Sequence, residues 1–145
     1  MAYIEIDKIY NEDCLIGMDR IPDGSVDMIL CDLPYGCLNS KDTKWDVQIP
    51  FEPLWKQYYR VCKENAAIVL FGKEPFTSFM IMSNLKDYRQ KLIWLKKQPG
   101  NVFNAKKQFM NWTEDIVVFY RDAPTGHKDP RLRSDGFRQN LNPVR

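Results

Sequence analysis

CDLPYG, residues 31–36, closes a run of mostly apolar residues, VDMIL at 26–30. A short, nearly continuous apolar run reads as a strand covered on both faces, the pattern of a parallel sheet. An acid, a proline and an aromatic ring then stand where the strand ends, and Gly36 supplies a turn. In an open parallel α/β sheet, ligands sit beyond the carboxyl ends of the strands, so this stretch decides both the fold and the place of the site. Pro34 stiffens the backbone and biases Leu33 toward an extended shape. Asp32 offers a carboxylate acceptor, Leu33 a main-chain carbonyl and Tyr35 a flat ring with a polar tip. Together they suit a planar group bearing an amino function, with two acceptors for two N–H bonds and a ring to stack on.

Outward from this stretch, strands and helices alternate. Residues 4–10, rich in β-branched and aromatic side chains, predict a strand with a leading hairpin arm. Residues 14–21 predict a short helix, stopped by Pro22-Asp23-Gly24. Phe51, Leu54, Trp55, Tyr58 and Cys62 recur at helical spacing, Pro53 suits a first turn, and Asn65 is the expected stop. AAIVLF at 66–71 is a second buried strand, and Glu74-Pro75 opens a helix reaching about Asn84. Residues 92–95 and 116–120 give two more strands, separated by a long, polar, basic stretch at 97–114. This alternation predicts an α/β fold with a mostly parallel sheet and helices on both faces. Residues 1–120 form its folded portion, and residues 121–145, almost without apolar periodicity, an irregular basic arm.

The bulk composition excludes several classes. The 145 residues are 44% hydrophobic and 28% charged, the balance of one globular domain. The formal net charge of +2 is too mild to announce nucleic acid, so a basic surface would have to come from local clustering. Cys14, Cys31, Cys37 and Cys62 contain no C-x-x-C pair, and His127 is the single histidine, which argues against a zinc site and a disulfide scaffold. The cysteines read as reduced thiols of an intracellular protein. The N-terminus is not a signal peptide and no segment has the length of a membrane span, so a cytoplasmic location is expected.

DLPY resembles the D-P-P-Y signature of the amino-methylating DNA methyltransferases, which use S-adenosylmethionine (AdoMet). The resemblance extends over most of residues 9–120: LCDLPYG, then KWDVQIPFEPLWKQYYRVCKENAAIVLFGKEPF, then NVFNAKKQ before EDIVVFY. It is similar to the phage and bacterial branch of that family and implies a partial Rossmann-like AdoMet-methyltransferase sheet. It also implies that Asp32 and the Leu33 carbonyl hold the amino group of a flipped base, with Pro34 shaping the turn and Tyr35 stacking. Double-stranded DNA is then the substrate, AdoMet the cofactor, and no metal is needed. A leading Asp points to adenine N6 more than to cytosine N4. Leu33 departs from the usual proline, but leucine still supplies the carbonyl.

Asp13 resembles a family position near the cofactor's adenine ring, and it equally suits a helix N-cap before Cys14; one residue can do both. Asp32 is placed at the cofactor as well as at the base. Lys44 and Trp45 lie in the loop that overhangs such a site, where Trp45 is either a DNA contact or a core lid. Lys96, Lys97, Lys106 and Lys107 flank a polar loop holding Asn101 and Asn104. Such a set is usually a solvated face, but beside a base pocket it becomes a phosphate-contact surface, to which Asn104 is also assigned.

The family pattern is incomplete. It calls for an F-x-G-x-G turn for the cofactor's methionine part and an acid for the ribose, and Gly36, Gly72 and Gly100 share no such spacing. The two strands of that cofactor half would lie between the first strand and the strand carrying Asp32, leaving residues 26–31 an unpaired apolar edge. The favoured expectation is that the chain is a fragment. The alternatives are a second chain or self-association through that edge, and direct pairing of residues 4–10 with residues 26–30. Three functions follow: an adenine-N6 DNA methyltransferase whose catalytic portion this is; a non-catalytic DNA-binding or partner-dependent subunit that lost its cofactor half; and, more weakly, a small-molecule or RNA methyltransferase.

Overall fold

The computed structural model describes residues 4–37, 43–100, 102 and 105–122. The apolar run folds as strand β1, Val26–Asp32, and AAIVLF lies within β2, Cys62–Gly72. They pair in parallel, with Leu30 level with Val69 and Asp32 level with Phe71. Two further strands, β3 at Tyr88–Gly100 and β4 at Asn111–Phe119, form an antiparallel hairpin, and β4 also runs antiparallel to β2. The strand order is β1-β2-β4-β3.

Helix α1, Cys14–Met18, is capped by Asp13, whose Oδ1 accepts from the Leu15 N–H at 2.8 Å. The predicted helix ran to residue 21. The chain instead tightens beyond Met18 into i to i−3 bonds, such as Ile21 N–H to Met18 O at 2.9 Å. Helix α2, Phe51–Val61, buries Leu54, Trp55, Tyr58 and Val61, the face its spacing gives. It stops at Val61, short of the expected Asn65, because Cys62 already pairs with Val26 in the sheet. Arg60 fastens this helix to the α1 turn, donating to Met18 O at 2.6 Å, Ile21 O at 2.9 Å and Asp23 Oδ1 at 2.6 Å. Helix α3, Phe76–Ser83, follows Glu74-Pro75 as expected.

The core lies between these helices and one face of the sheet. Ile68, Leu70, Val117 and Phe119 alternate inward and meet Met18, Leu54, Trp55, Phe76 and Met80. Each such fully buried side chain contributes about 1.5–3 kcal/mol relative to exposure. Trp55 sets the packing: its ring meets Phe119 at 4.8 Å and its Nε1–H donates to Ser83 Oγ at 2.8 Å.

The α/β class holds, but two of its expected details do not. The sheet is mixed, with one parallel and two antiparallel pairs. Among the described residues the helices cover one face only. On the other, Met28 and Leu30 are 53% and 59% exposed and Phe71 packs on Trp94. Residues 4–10 form no strand. Asp7 takes a φ of +60° and breaks the extension, the Tyr10 hydroxyl accepts from Glu5 N–H at 2.8 Å, and Ile9 is 97% exposed. They do not pair with β1, so β1 is an edge strand among the described residues. Of the 121–145 arm, only Arg121 and Asp122 are among the described residues.

Candidate functional site

At the carboxyl end of β1, Asp32 and Tyr35 meet directly: the Tyr35 hydroxyl donates to Asp32 Oδ1 at 2.6 Å. That bond orients the carboxylate and occupies one oxygen, and among the described residues no donor is bound to Oδ2. Burial, reinforced by the hydrogen bond and negative charge of Asp32, pushes the Tyr35 hydroxyl well above the ordinary phenol range. It therefore stays protonated and keeps donating. The ring stacks on Phe76, the first residue of α3, at 5.0 Å between centroids and 29° between planes. Leu33, which stands where the signature has its first proline, turns its side chain into the core and is 6% exposed.

Gly36 answers why the segment ends on glycine. Its φ is +68°, a left-handed conformation costly for any residue with a Cβ, and its N–H donates to Asp46 Oδ1 at 2.9 Å. The buried Asp46 thus ties the loop after the clamp back to the clamp itself.

A cavity of about 440 Å³ opens here, lined by Asp32, Leu33, Pro34 and Tyr35 together with Cys37, Trp45, Asp46, Lys73 and Glu114. Its size is in the range of small-ligand sites. A second, apolar groove of about 510 Å³ runs along the free edge of β1, lined among others by Cys14, Met18, Ile29 and Cys31. Both spaces share Asp32, Leu33 and Pro34, so this segment is the partition between them.

Other site candidates fall into place unevenly. Trp45 lines the cavity and is 67% exposed, so it is not a core residue. Lys44 beside it is exposed. Asp13 caps α1 next to Cys14, which lines the edge groove. Lys97, Lys106 and Lys107 are exposed, but Lys96 is half-buried and ion-paired with Glu114. That pair also explains why part of the expected loop at 97–114 is strand: β3 and β4 extend into it, joined by partners such as Gly100 and Asn111. Asn101, Asn104 and His127 lie outside the described residues.

Lys73, Glu114 and Phe76 were not singled out from sequence. Lys73 follows the apolar run of β2 immediately, at the end of the strand next to β1, the position where site residues of parallel sheets collect. Glu114 had no such local signal, because only the β4 pairing brings it across.

The DNA methylase family model of the N6/N4 type matches residues 26–144. Among solved structures, the chain is similar to the PvuII DNA methyltransferase (cytosine-N4-specific), at 13% identity and a TM-score of 0.61, over 86% of this chain and 53% of that one. It is similar to M1.HpyAVI in complex with SAM, at 18% identity and a TM-score of 0.56, over 87% and 59%. A DNA modification methylase of Thermus thermophilus complexed with S-adenosyl-L-methionine matches at 17% and 0.54, over 90% and 64%. These identities speak for the fold, and the chain spans between about half and two thirds of the length of those proteins. The family match covers most of the sequence and includes the clamp at the end of β1, and the chain belongs to the DNA methylase family of the N6/N4 type.

Proposed function

We propose that this chain carries the base-binding portion of an AdoMet-dependent DNA methyltransferase acting on adenine N6 of a flipped base. The observation that carries the reading is the Asp32 carboxylate, held by Tyr35 at the mouth of the 440 Å³ cavity with one oxygen uncommitted among the described residues. An exocyclic base nitrogen is a poor nucleophile because its lone pair is delocalised into the ring. Asp32 and the Leu33 carbonyl accept its two hydrogens and favour the pyramidal geometry that frees the lone pair. Their attraction grows as positive charge develops on nitrogen, so they stabilise the transition state more than the ground state. Flipping costs a few kcal/mol of unstacking, offset by ring contacts in the cavity and by phosphate contacts outside it.

The residues present fit one flank of the methyl donor. The edge groove is apolar and ends at the acid Asp32, matching a ligand with apolar and cationic parts, and the shared Asp32–Pro34 partition puts such a ligand next to the base. Asp32 and the groove beside Asp13 and Cys14 would hold it. When bound, AdoMet supplies a methyl carbon already activated by its sulfonium sulfur. The open β1 edge is where the remainder of a longer protein, or a second chain, would pair.

The test is to incubate the complete protein with AdoMet and duplex DNA, digest the DNA and identify the methylated nucleoside. N6-methyl-2′-deoxyadenosine is expected, and Asp32→Ala is expected to lower kcat at least about a hundredfold with little change in unfolding midpoint, because Asp32 is exposed. N4-methyl-2′-deoxycytidine would move the target to cytosine. Substantial activity in Asp32→Ala would sink the clamp. Salt-sensitive DNA binding without AdoMet binding would favour the non-catalytic subunit.

A further inference from the structure

The base cavity contains three acids and one cation among its lining residues, and the sheet register puts the cation among the acids. Asp32 is level with Phe71, and Gly72 is level with Asp115. One residue on, Lys73 comes opposite Glu114 and two positions beyond the partner of Asp32. Each acid already accepts one hydrogen bond. Tyr35 donates to Asp32, Gly36 N–H to Asp46 and Lys96 to Glu114. Lys73 is half-buried and forms no ion pair among the described residues; the side-chain amide oxygen of Asn111, once turned toward it, lies 3.3 Å from Nζ. An ammonium carries three donors, so Lys73 brings donor capacity to a cavity otherwise rich in acceptors.

We infer that Lys73 reads the base, donating from Nζ to the bare ring nitrogen beside the exocyclic amino group while Asp32 accepts from the amino group. The assignment rests on the base-binding reading proposed above and adds a specificity residue to it. It covers a discrimination that the acid cannot make. Guanine also has an amino group, but on its pairing edge the ring nitrogen beside that group carries a hydrogen, which would set donor against donor; its bare N3 lies on the other side of the amino group, on the edge next to the sugar. Adenine, through N1, and cytosine, through N3, both present an amino group next to a ring acceptor. A cation beside the ring draws electron density from the amino nitrogen, so Lys73 contributes to binding and not to the transfer step.

The test uses the complete protein and a duplex carrying its site, with 1-deazaadenine, whose N1 is a C–H, at the methylated position. Wild-type protein is expected to lose roughly ten- to a hundredfold in kcat/KM, mostly through KM. Lys73→Met is expected to lose a similar factor on unmodified DNA and nothing further on the deaza duplex. The deaza base pairs less well and flips more readily, but equally for both proteins, so the comparison between them is unaffected. A cytosine target would show the same pattern with 3-deazacytosine and none with 1-deazaadenine. Losses that multiply, or a wild-type protein indifferent to both deaza bases, would overturn the role of Lys73. If Lys73→Met folds poorly, a wild-type protein indifferent to both deaza duplexes still overturns the assignment, and Lys73→Gln supplies the paired comparison. Failure of wild-type protein to methylate any DNA would overturn the parent reading and this one together, whereas transfer that ignores the ring nitrogen would overturn Lys73 alone.

Discussion

A single hydroxyl governs the geometry of the clamp. Asp32 is exposed at a strand end, where a carboxylate would ordinarily sample several rotamers. The Tyr35 hydroxyl holds it at 2.6 Å, and Tyr35 is itself held by its stack on Phe76. Tyr35→Phe keeps the stack and removes the tether. The expected result is a fall in kcat of about tenfold, equivalent to ~1.4 kcal/mol of lost positioning, with KM for DNA nearly unchanged. Because the phenol is shifted upward, it is still protonated at a pH where a free phenol ionises, so the two proteins should share one rate profile up to that range. A variant as fast as wild type would show that Asp32 needs no tether. The strand end at Asp32 and the turn at Gly36 were legible in the sequence because an apolar run, a proline and a glycine are local signals. The partner of Tyr35 was not, because Phe76 lies forty-one positions away and reaches the ring only through the fold.

At the level of elements, the site depends on how closely α3 lies on β2. Gly72 ends β2, and a Cβ there would stand 2.6 Å from Thr77 Oγ1 and 3.2 Å from Met80 Cε. Thr77 is fully buried, so it has nowhere to retreat, and among the described residues its hydroxyl has no hydrogen-bond partner. Gly72→Ala is therefore expected to destabilise the protein by about 1–3 kcal/mol, read from the urea midpoint. Thr77→Ala should relieve most of that loss, giving a double variant more stable than the sum of the two changes implies. A neutral Gly72→Ala would mean that α3 stands further off. This contact was invisible in sequence, where Gly72 was only a glycine without a glycine partner. The β2 run and the α2 face were readable because burial imposes a period on the residues themselves. Residues 4–10 misled because strand propensity becomes a strand only when a neighbouring edge accepts it, and there Asp7 turns the chain away. The β3–β4 hairpin was under-read for the opposite reason: Lys96 and Glu114 look like loop residues until they pair across strands.

Across the whole molecule, a net charge of +2 gives little general attraction for DNA, so affinity must come from where the cations sit. A turn at 105–107 lies between β3 and β4 along the chain, and residues 108–111 after it line a cavity of about 560 Å³ that shares Lys73 and Glu114 with the 440 Å³ cavity. Lys106 and Lys107 stand exposed on that turn, and among the described residues neither forms an ion pair. Lys96, in contrast, is already neutralised by Glu114 and has no spare charge for a phosphate. Each lysine that meets a phosphate releases a condensed counterion and steepens the dependence of log K on log salt by about 0.9. Replacing Lys106 and Lys107 together by alanine should make the slope shallower by about 1.8 if both meet phosphates. Binding should weaken alike for cognate and unrelated duplexes, because phosphate contacts position the protein without reading sequence. At saturating DNA kcat should stay as in wild type, since neither lysine lines the 440 Å³ cavity. The measurement is a salt titration of duplex binding by both proteins. An unchanged slope would take the β3–β4 turn off the DNA surface, while an unchanged slope with a lower kcat would move these lysines from the backbone to the site.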